Sequence, residues 1–164
     1  MYGFVTGIVM VIVGLILYIS GLAFKSGMQW ISYIPFLIGM ILNANAYSKA
    51  NDGYVTFGNV FGSCFKSSMI VAILMVAYSL LTILIFPEMK EKLIAMQREE
   101  MLKNPKVTEE AIEMAQNITR KFWNVFLVGG AVMGTLFMGA IFSLVGATAV
   151  KKNGERPMGV GDNF

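Results

Sequence analysis

The sequence predicts an all-α, polytopic membrane protein with four transmembrane helices and a helical hairpin inserted between the third and the fourth. The first observation is composition: 56% of the 164 residues are hydrophobic and only 14% are charged, whereas a soluble domain carries about 25% charged residues. The second is that the charges leave four long uncharged runs, and a helix needs about 20 apolar residues to cross a bilayer. The predicted spans are 3–24, 30–47, 67–86 and 124–149, in a single integral membrane domain covering 1–164.

The composition also excludes several classes of protein and of site. The chain is too apolar for a disordered protein or a nucleic-acid binder. It contains no His, and its one cysteine, Cys64, allows neither an intrachain disulfide nor a cysteine metal cluster. No Asp, Glu, Lys or Arg falls within a predicted span, which argues against ion-coupled transport. We therefore predict no catalytic, cofactor-binding or metal-binding residues.

The first two spans differ in the strength of their signal. The first run has no basic residue before its apolar core and no clear A-x-A site, so it is interpreted as a retained anchor rather than a cleaved signal peptide. The second span is the shortest and carries Pro35 in its early turns, where a missing N–H costs least. Aromatic residues near predicted helix ends fit the headgroup layer: Trp30, Tyr33, Tyr47, Tyr54 and Trp123.

Regularly spaced glycines predict close helix packing. Gly7, Gly14 and Gly21 recur every seven residues, and Gly130 and Gly134 form a small-xxx-small pair. Such faces let membrane helices approach closely. The favoured hypothesis is packing of the first and last spans within one monomer, and the other is an interface with a second copy or a membrane-protein partner.

The connection between the second and third spans predicts a turn followed by an interfacial helix. Asn51-Asp52-Gly53 is a strong turn signal. Phe57, Phe61 and Phe65 then repeat every four residues, so segment 54–66 is predicted as an amphipathic helix in the membrane interface.

Segment 88–121 predicts an extramembrane hairpin of two helices. The break falls at Asn104-Pro105, because the residue before a proline is pushed out of the helical region. Pro87 suits the start of the first helix and Thr108 the N-cap of the second. The second helix has an apolar stripe, predicted to face either the first helix or the bilayer: Val107, Ala111, Met114, Ile118 and Phe122.

The membrane orientation rests on the positive-inside rule. Four spans place both termini and a first set of basic residues on one side of the membrane. They place a second set of basic residues on the other side. The first set is Lys49, Lys66, Lys151, Lys152 and Arg156, and the second is Lys25, Lys90, Lys92, Arg120 and Lys121. The counts are nearly equal, but acidic residues are interleaved with the second set, so both termini are predicted to be cytoplasmic.

The pattern Gly53-Tyr54-x-x-Phe57-Gly58-x-x-Phe61 resembles the signature of a bacterial inner-membrane family catalogued as domain of unknown function 4199. Lys49 before the pattern, Lys66 after it, the acidic and Met-rich insert, and the Gly-rich last span ending in Lys151-Lys152 also match. The chain departs from the family in carrying only Lys49 as a basic residue in segment 44–50. The resemblance implies a four-span membrane protein and brings neither an activity nor catalytic residues.

Two hypotheses of function remain open, and an embedded enzyme ranks below both. The first is a non-enzymatic scaffold or accessory subunit, with the hairpin as the part that contacts a partner. The alternative is a small oligomeric channel or transporter component. Expected partners are the lipid bilayer and a second copy or another membrane protein, with no cofactor and no nucleic acid.

Overall fold

The computed structural model describes residues 1–25, 27–150 and 153, and in these residues it is all-helical without a strand. This confirms the predicted all-α class. Two short 3₁₀ helices, Leu22–Phe24 and Met28–Ser32, connect the first two α-helices. The six α-helices are α1 (Tyr2–Ile19), α2 (Tyr33–Ala50), α3 (Phe57–Ile85), α4 (Glu88–Leu102), α5 (Glu109–Lys121) and α6 (Trp123–Ala149).

Three of these helices, α1, α3 and α6, are long and apolar enough to cross a membrane. Their best 18-residue windows have mean hydropathies of 2.4, 2.5 and 2.1. The helix at the second predicted span, α2, is not among them, so a fourth crossing stays a prediction. Its 18 residues include Asn43, Asn45, Ser48 and Lys49, which lower its hydropathy.

Close contacts at glycines show how the helices run. Gly3 of α1 lies against the Ser67 backbone and Gly14 against Tyr78, so α1 and α3 are parallel. The Cys64 thiol of α3 donates to the Met40 carbonyl oxygen of α2. One turn later in α3, Ser68 lies against Gly139 of α6, and so does Phe36, which is one turn earlier in α2. Helix α2 is therefore antiparallel to α3, and the bundle alternates in direction.

Helix α2 packs one face into the core of the bundle. Phe36 and Met40 are fully buried, and the ring of Phe36 meets that of Phe142 edge-on with 5.3 Å between centroids. The buried amide of Asn43 donates to Ser63 Oγ (3.4 Å) and to Cys64 Sγ (3.5 Å). Since an unpaired amide would be costly in an apolar interior, these bonds explain how this helix accommodates an asparagine.

The structure assigns the patterned glycines to different roles. Gly7 packs on Leu74 and Gly14 on Tyr78, both in α3 rather than in the last helix. Gly21 lies beyond α1, which ends at Ile19, and has a left-handed φ of 70°. The predicted first span, 3–24, is therefore longer than the helix, because the chain turns at Ser20 and Gly21.

The small-residue pair in α6 has no close neighbour among the residues that the structure describes. Nothing outside the helix's own backbone lies within 4 Å of the position a Cβ would take at Gly130 or Gly134. The close approach of α6 to the bundle occurs further along, where Gly139 meets Ser68 and Gly146 meets Met40.

One helix contains both the third span and most of the segment 54–66 that was predicted to lie in the interface. Helix α3 runs unbroken from Phe57 to Ile85, and Thr56 caps it by accepting the Asn59 N–H at 3.3 Å. The expected aromatic column is present, since Phe61 stacks on Phe57 and on Phe65 with centroid distances of 6.3 and 5.8 Å. No proline falls between these rings and the span, so the helix continues.

The hairpin segment contains α4 and α5, whose own small core is closed by Ile94 and Ile112, each 1% exposed. Two ion pairs join the helices, Arg120 with Glu91 (2.8 Å) and Arg98 with Glu109. Thr108 caps α5 as predicted, by accepting the Ala111 N–H. At the end of α4, hydrogen bonding to Glu100 raises the pKa of the Lys103 ammonium.

The predicted stripe of α5 does not face α4. Met114 is 60% exposed, Ile118 45% and Phe122 46%. Of the two directions predicted for this stripe, the first helix is therefore wrong, and the bilayer stays a prediction.

Candidate functional site

The turn at Asn51–Gly53 anchors one end of the bundle. Asp52 and Gly53 both have positive φ, 53° and 79°, a conformation that glycine adopts without strain. Asn153 binds this turn twice: its N–H donates to the Gly53 carbonyl oxygen (2.8 Å), and its Nδ2 donates to the Asp52 carbonyl oxygen (3.2 Å). Gly53, the first signature residue, is therefore needed for the backbone of this turn and for the approach of Asn153.

The other signature residues lie in different environments. Tyr54 and Phe57 are exposed, whereas Phe61 packs against the hydrophobic core. Gly58, in the first turn of α3, lies in the wall of a polar cavity. The signature thus combines a turn, an aromatic column and one side of this cavity.

The cavity has a volume of about 460 Å³ and lies between α2, the N-terminal part of α3 and Met1. Hydrogen-bonding side chains dominate its wall: Asn43, Tyr47, Asn59, Ser63, Lys66 and Ser67. Gly58 and Gly62 also line it, and nothing lies within 4 Å of where their Cβ atoms would be. The missing side chains therefore leave α3 open to the cavity.

Lys66 is the one charged side chain in this wall. The ion pairs found in the described residues do not include it. It directly precedes the uncharged run of α3, so it marks the boundary between the polar cavity and the apolar part of the bundle. Among the described residues that line it, the cavity therefore has one charged side chain and several neutral donors, and no carboxylate.

An apolar groove of about 450 Å³ adjoins the cavity, and Met1 lines both. The groove runs between α1 and α2 and includes Val5, Val9, Ile38 and Leu42. Leu42 in the groove is followed in sequence by Asn43 in the cavity. A polar site and a hydrocarbon-like site thus meet at one place on the bundle.

The chemistry of the cavity is that of binding an anion or a polar group. Its donors are an ammonium, amides and hydroxyls, and the chain supplies no histidine base to act with them. Across the described residues, no group of three or more Cys, Asp or Glu side chains could hold a metal ion. We therefore treat the cavity as a binding site.

Sequence analysis did not predict this cavity. A signal was present, since Asn59, Ser63 and Lys66 are spaced four and three residues apart, as are residues on one helical face. Asn43 and Tyr47 form a matching pair four residues apart. What was missing was the pairing of α2 with α3 that brings the two sets together.

Comparison with known proteins gives a family and no closer relative. No curated protein and no solved structure matches the chain. A family model described as "Protein of unknown function (DUF4199)" matches residues 1–152. This match confirms the family resemblance seen in the signature, and the chain belongs to the DUF4199 family.

Proposed function

We propose that this protein is a four-span protein of a bacterial inner membrane that acts as a non-enzymatic accessory subunit, using its α4–α5 hairpin to contact a membrane-protein partner. The observation that carries the proposal is the exposed apolar stripe on α5, beside a hairpin core that is already closed.

The length and packing of α2 support a fourth crossing. Its 18 residues extend about 27 Å, close to the thickness of a hydrocarbon core of about 30 Å. Helix α2 contacts α1, α3 and α6, and its Asn43 is hydrogen bonded inside the bundle. Its outward face carries the apolar Ile34, Ile38 and Leu42, each more than half exposed. Asn43 and Ser48 are buried, so these two of the polar residues that lower its hydropathy would not meet lipid.

The placement of basic residues supports cytoplasmic termini. Lys49 and Lys66 lie at the end of the bundle where α1 begins, whereas α4 begins beside the end of α1, where Tyr18 Oη donates to Glu88 (3.3 Å). Lys151, Lys152 and Arg156, which also enter the predicted orientation, lie outside the described residues. The opposite end carries Lys25, Lys90, Lys92, Arg120 and Lys121, so the positive-inside count is nearly even. Acidic residues are interleaved with this second set, and on that ground we assign the Lys49 end to the cytoplasm.

We propose a protein rather than the bilayer as the occupant of the stripe, which begins at the junction between α5 and α6. Phe122 is that junction: α5 ends at Lys121 and α6 begins at Trp123. Its N–H donates to Ile118 O, and its own carbonyl oxygen accepts from Phe126 N–H. Met114 is eight residues before Phe122, or about 12 Å along a helix, so the stripe extends along α5 from the start of the last span.

Co-purification in mild detergent tests the partner. Ile118→Glu places a charge in the stripe. Asn117→Glu places the same charge on the preceding residue, which is exposed but is not part of the stripe. We expect one stoichiometric membrane protein to co-purify with the wild type and with Asn117→Glu, and to be lost with Ile118→Glu. Retention of that protein by Ile118→Glu would refute the proposal.

A spin label at Ile118→Cys, in a Cys64→Ser background, tests the bilayer as the occupant. Protection from a water-soluble relaxing agent only when the partner is present supports the proposal. If oxygen dissolved among the acyl chains relaxes the spin label strongly, with or without the partner, the stripe lies in lipid.

Single cysteines in the same Cys64→Ser background test the topology. With α2 as a span, Lys25→Cys and Asn51→Cys are on opposite sides, and positions 25 and 104, but not 51, are labelled from outside intact cells. Labelling of position 51 but not of 25 from outside would contradict the orientation, and labelling of 25 and 51 from the same side would contradict the fourth crossing.

An oligomeric channel is the alternative. Phe36, Met40 and Phe142 fill the centre of the bundle, so a conducting path would have to form between copies, and the uncovered Gly130–Gly134 face favours contact between helices. Flux through liposomes reconstituted with pure protein, abolished by Gly134→Leu, would favour this alternative over the accessory subunit.

A further inference from the structure

We propose that the polar cavity and the adjoining groove together bind one anionic phospholipid, with its phosphate beside Lys66 and an acyl chain between α1 and α2. The proposal does not depend on the hairpin or on its partner.

The cavity has the chemistry that a phosphate requires. Phosphate oxygens are strong acceptors, and their hydrogen bonds with charged donors are about twice as strong as neutral ones. The Lys66 ammonium supplies the charge, and the Ser63 and Ser67 hydroxyls and the Asn59 amide supply neutral donors in the same wall.

The charge of the wall favours an anionic lipid over a zwitterionic one. A headgroup with its own ammonium would bring a second cation close to Lys66, and the described lining has no carboxylate to receive it. A glycerol headgroup adds no charge, and its hydroxyls can use the amide of Asn43 and the phenol of Tyr47.

The groove identifies the source of the phosphate as a lipid rather than a soluble compound. Its wall is apolar, with Val5, Val9, Ile38 and Leu42, and it begins where the cavity ends. Residues 35–42 of α2 line it over about 10 Å. A free phosphate would use the cavity alone, whereas a phospholipid would occupy both the cavity and the groove.

The cavity is tested with the full-length protein in detergent, titrated with short-chain phosphatidylglycerol or phosphatidylcholine and followed by native mass spectrometry. We expect the wild type to prefer phosphatidylglycerol. Lys66→Gln should bind it at least about tenfold more weakly and lose the preference, whereas Lys66→Arg should retain it. The matched control is Lys49→Gln, which removes the same charge from a residue outside the cavity wall and should bind like the wild type.

The groove is tested by filling it. Ile38→Trp should weaken phosphatidylglycerol binding while leaving any binding of inorganic phosphate unchanged, and Met133→Trp, on the exposed surface of α6, should change neither. The same thermal unfolding midpoint in each variant shows that the bundle is intact. An equal loss in Lys66→Gln and Lys49→Gln, no preference in the wild type, or inorganic phosphate binding as tightly as the lipid would each overturn the proposal.

Discussion

Replacing Gly139 by alanine should destabilise the bundle, whereas the same replacement at Gly134 should not. Both residues lie in α6. A Cβ at Gly139 would be 2.5 Å from Ser68 Cβ and 3.3 Å from Phe36 Cζ, whereas nothing is within 4 Å at Gly134. Carbon atoms prefer about 3.5–4.0 Å, so Ser68 would have to move by about 1 Å. Overpacking of this kind costs about 1–3 kcal/mol.

The comparison isolates packing because the helix propensity of alanine cancels. Alanine favours a helix over glycine by up to about 1 kcal/mol at either position, so the difference in unfolding free energy between the variants should be about 1–3 kcal/mol. Unfolding in mixed micelles of increasing sodium dodecyl sulfate, followed by circular dichroism, measures it. Ser68→Gly in the Gly139→Ala background should recover part of the loss by removing the opposing Cβ. Equal unfolding curves for the two alanine variants, or no recovery, would refute the reasoning.

Three further substitutions test other parts of the structure. Thr108→Ala should destabilise the start of α5 by about 1 kcal/mol, because the Ala111 N–H loses its acceptor, and amide hydrogen exchange at Ala111 should increase. Gly53→Ala should lower the thermal unfolding midpoint, since a side chain at φ 79° costs about 1–2 kcal/mol and would also displace Asn153. Ile112→Ala should cost about 2–5 kcal/mol of hairpin stability, so limited proteolysis should cut within 88–121 while the spans stay protected. An unchanged exchange rate, midpoint or cleavage pattern would contradict the corresponding prediction.

Periodicity and charge predicted the helices well because both are local properties. The uncharged runs contain α1, α6 and the part of α3 that follows Lys66, and Thr108 caps α5 where the acidic first turn indicated. The end of α1 was predicted too late, because hydropathy continues through Leu22 and Phe24 although Gly21 has already turned the chain.

Contacts between helices were harder to predict from the sequence. Gly7 and Gly14 pack against Leu74 and Tyr78 of α3, a partner that their spacing in the sequence does not identify, whereas Gly21 has none of the described residues within 4 Å of where its Cβ would be. The apolar stripe on α5 was predicted from its spacing, but its exposure was not. The stripe is exposed because Ile112, which is not part of it, is the residue buried in the hairpin. The polar cavity depends in the same way on the register between α2 and α3.

The bonds between Asn153 and the Asp52–Gly53 turn join residues that are 101 positions apart. At about 5–20 residues per second, a ribosome needs about 5–20 s to synthesise the chain between them. During this interval the two turn carbonyls lack their final donor, so this end of the protein is completed only after the last helix has entered the membrane. A protein stalled before residue 153 should therefore keep this corner accessible to cellular proteases.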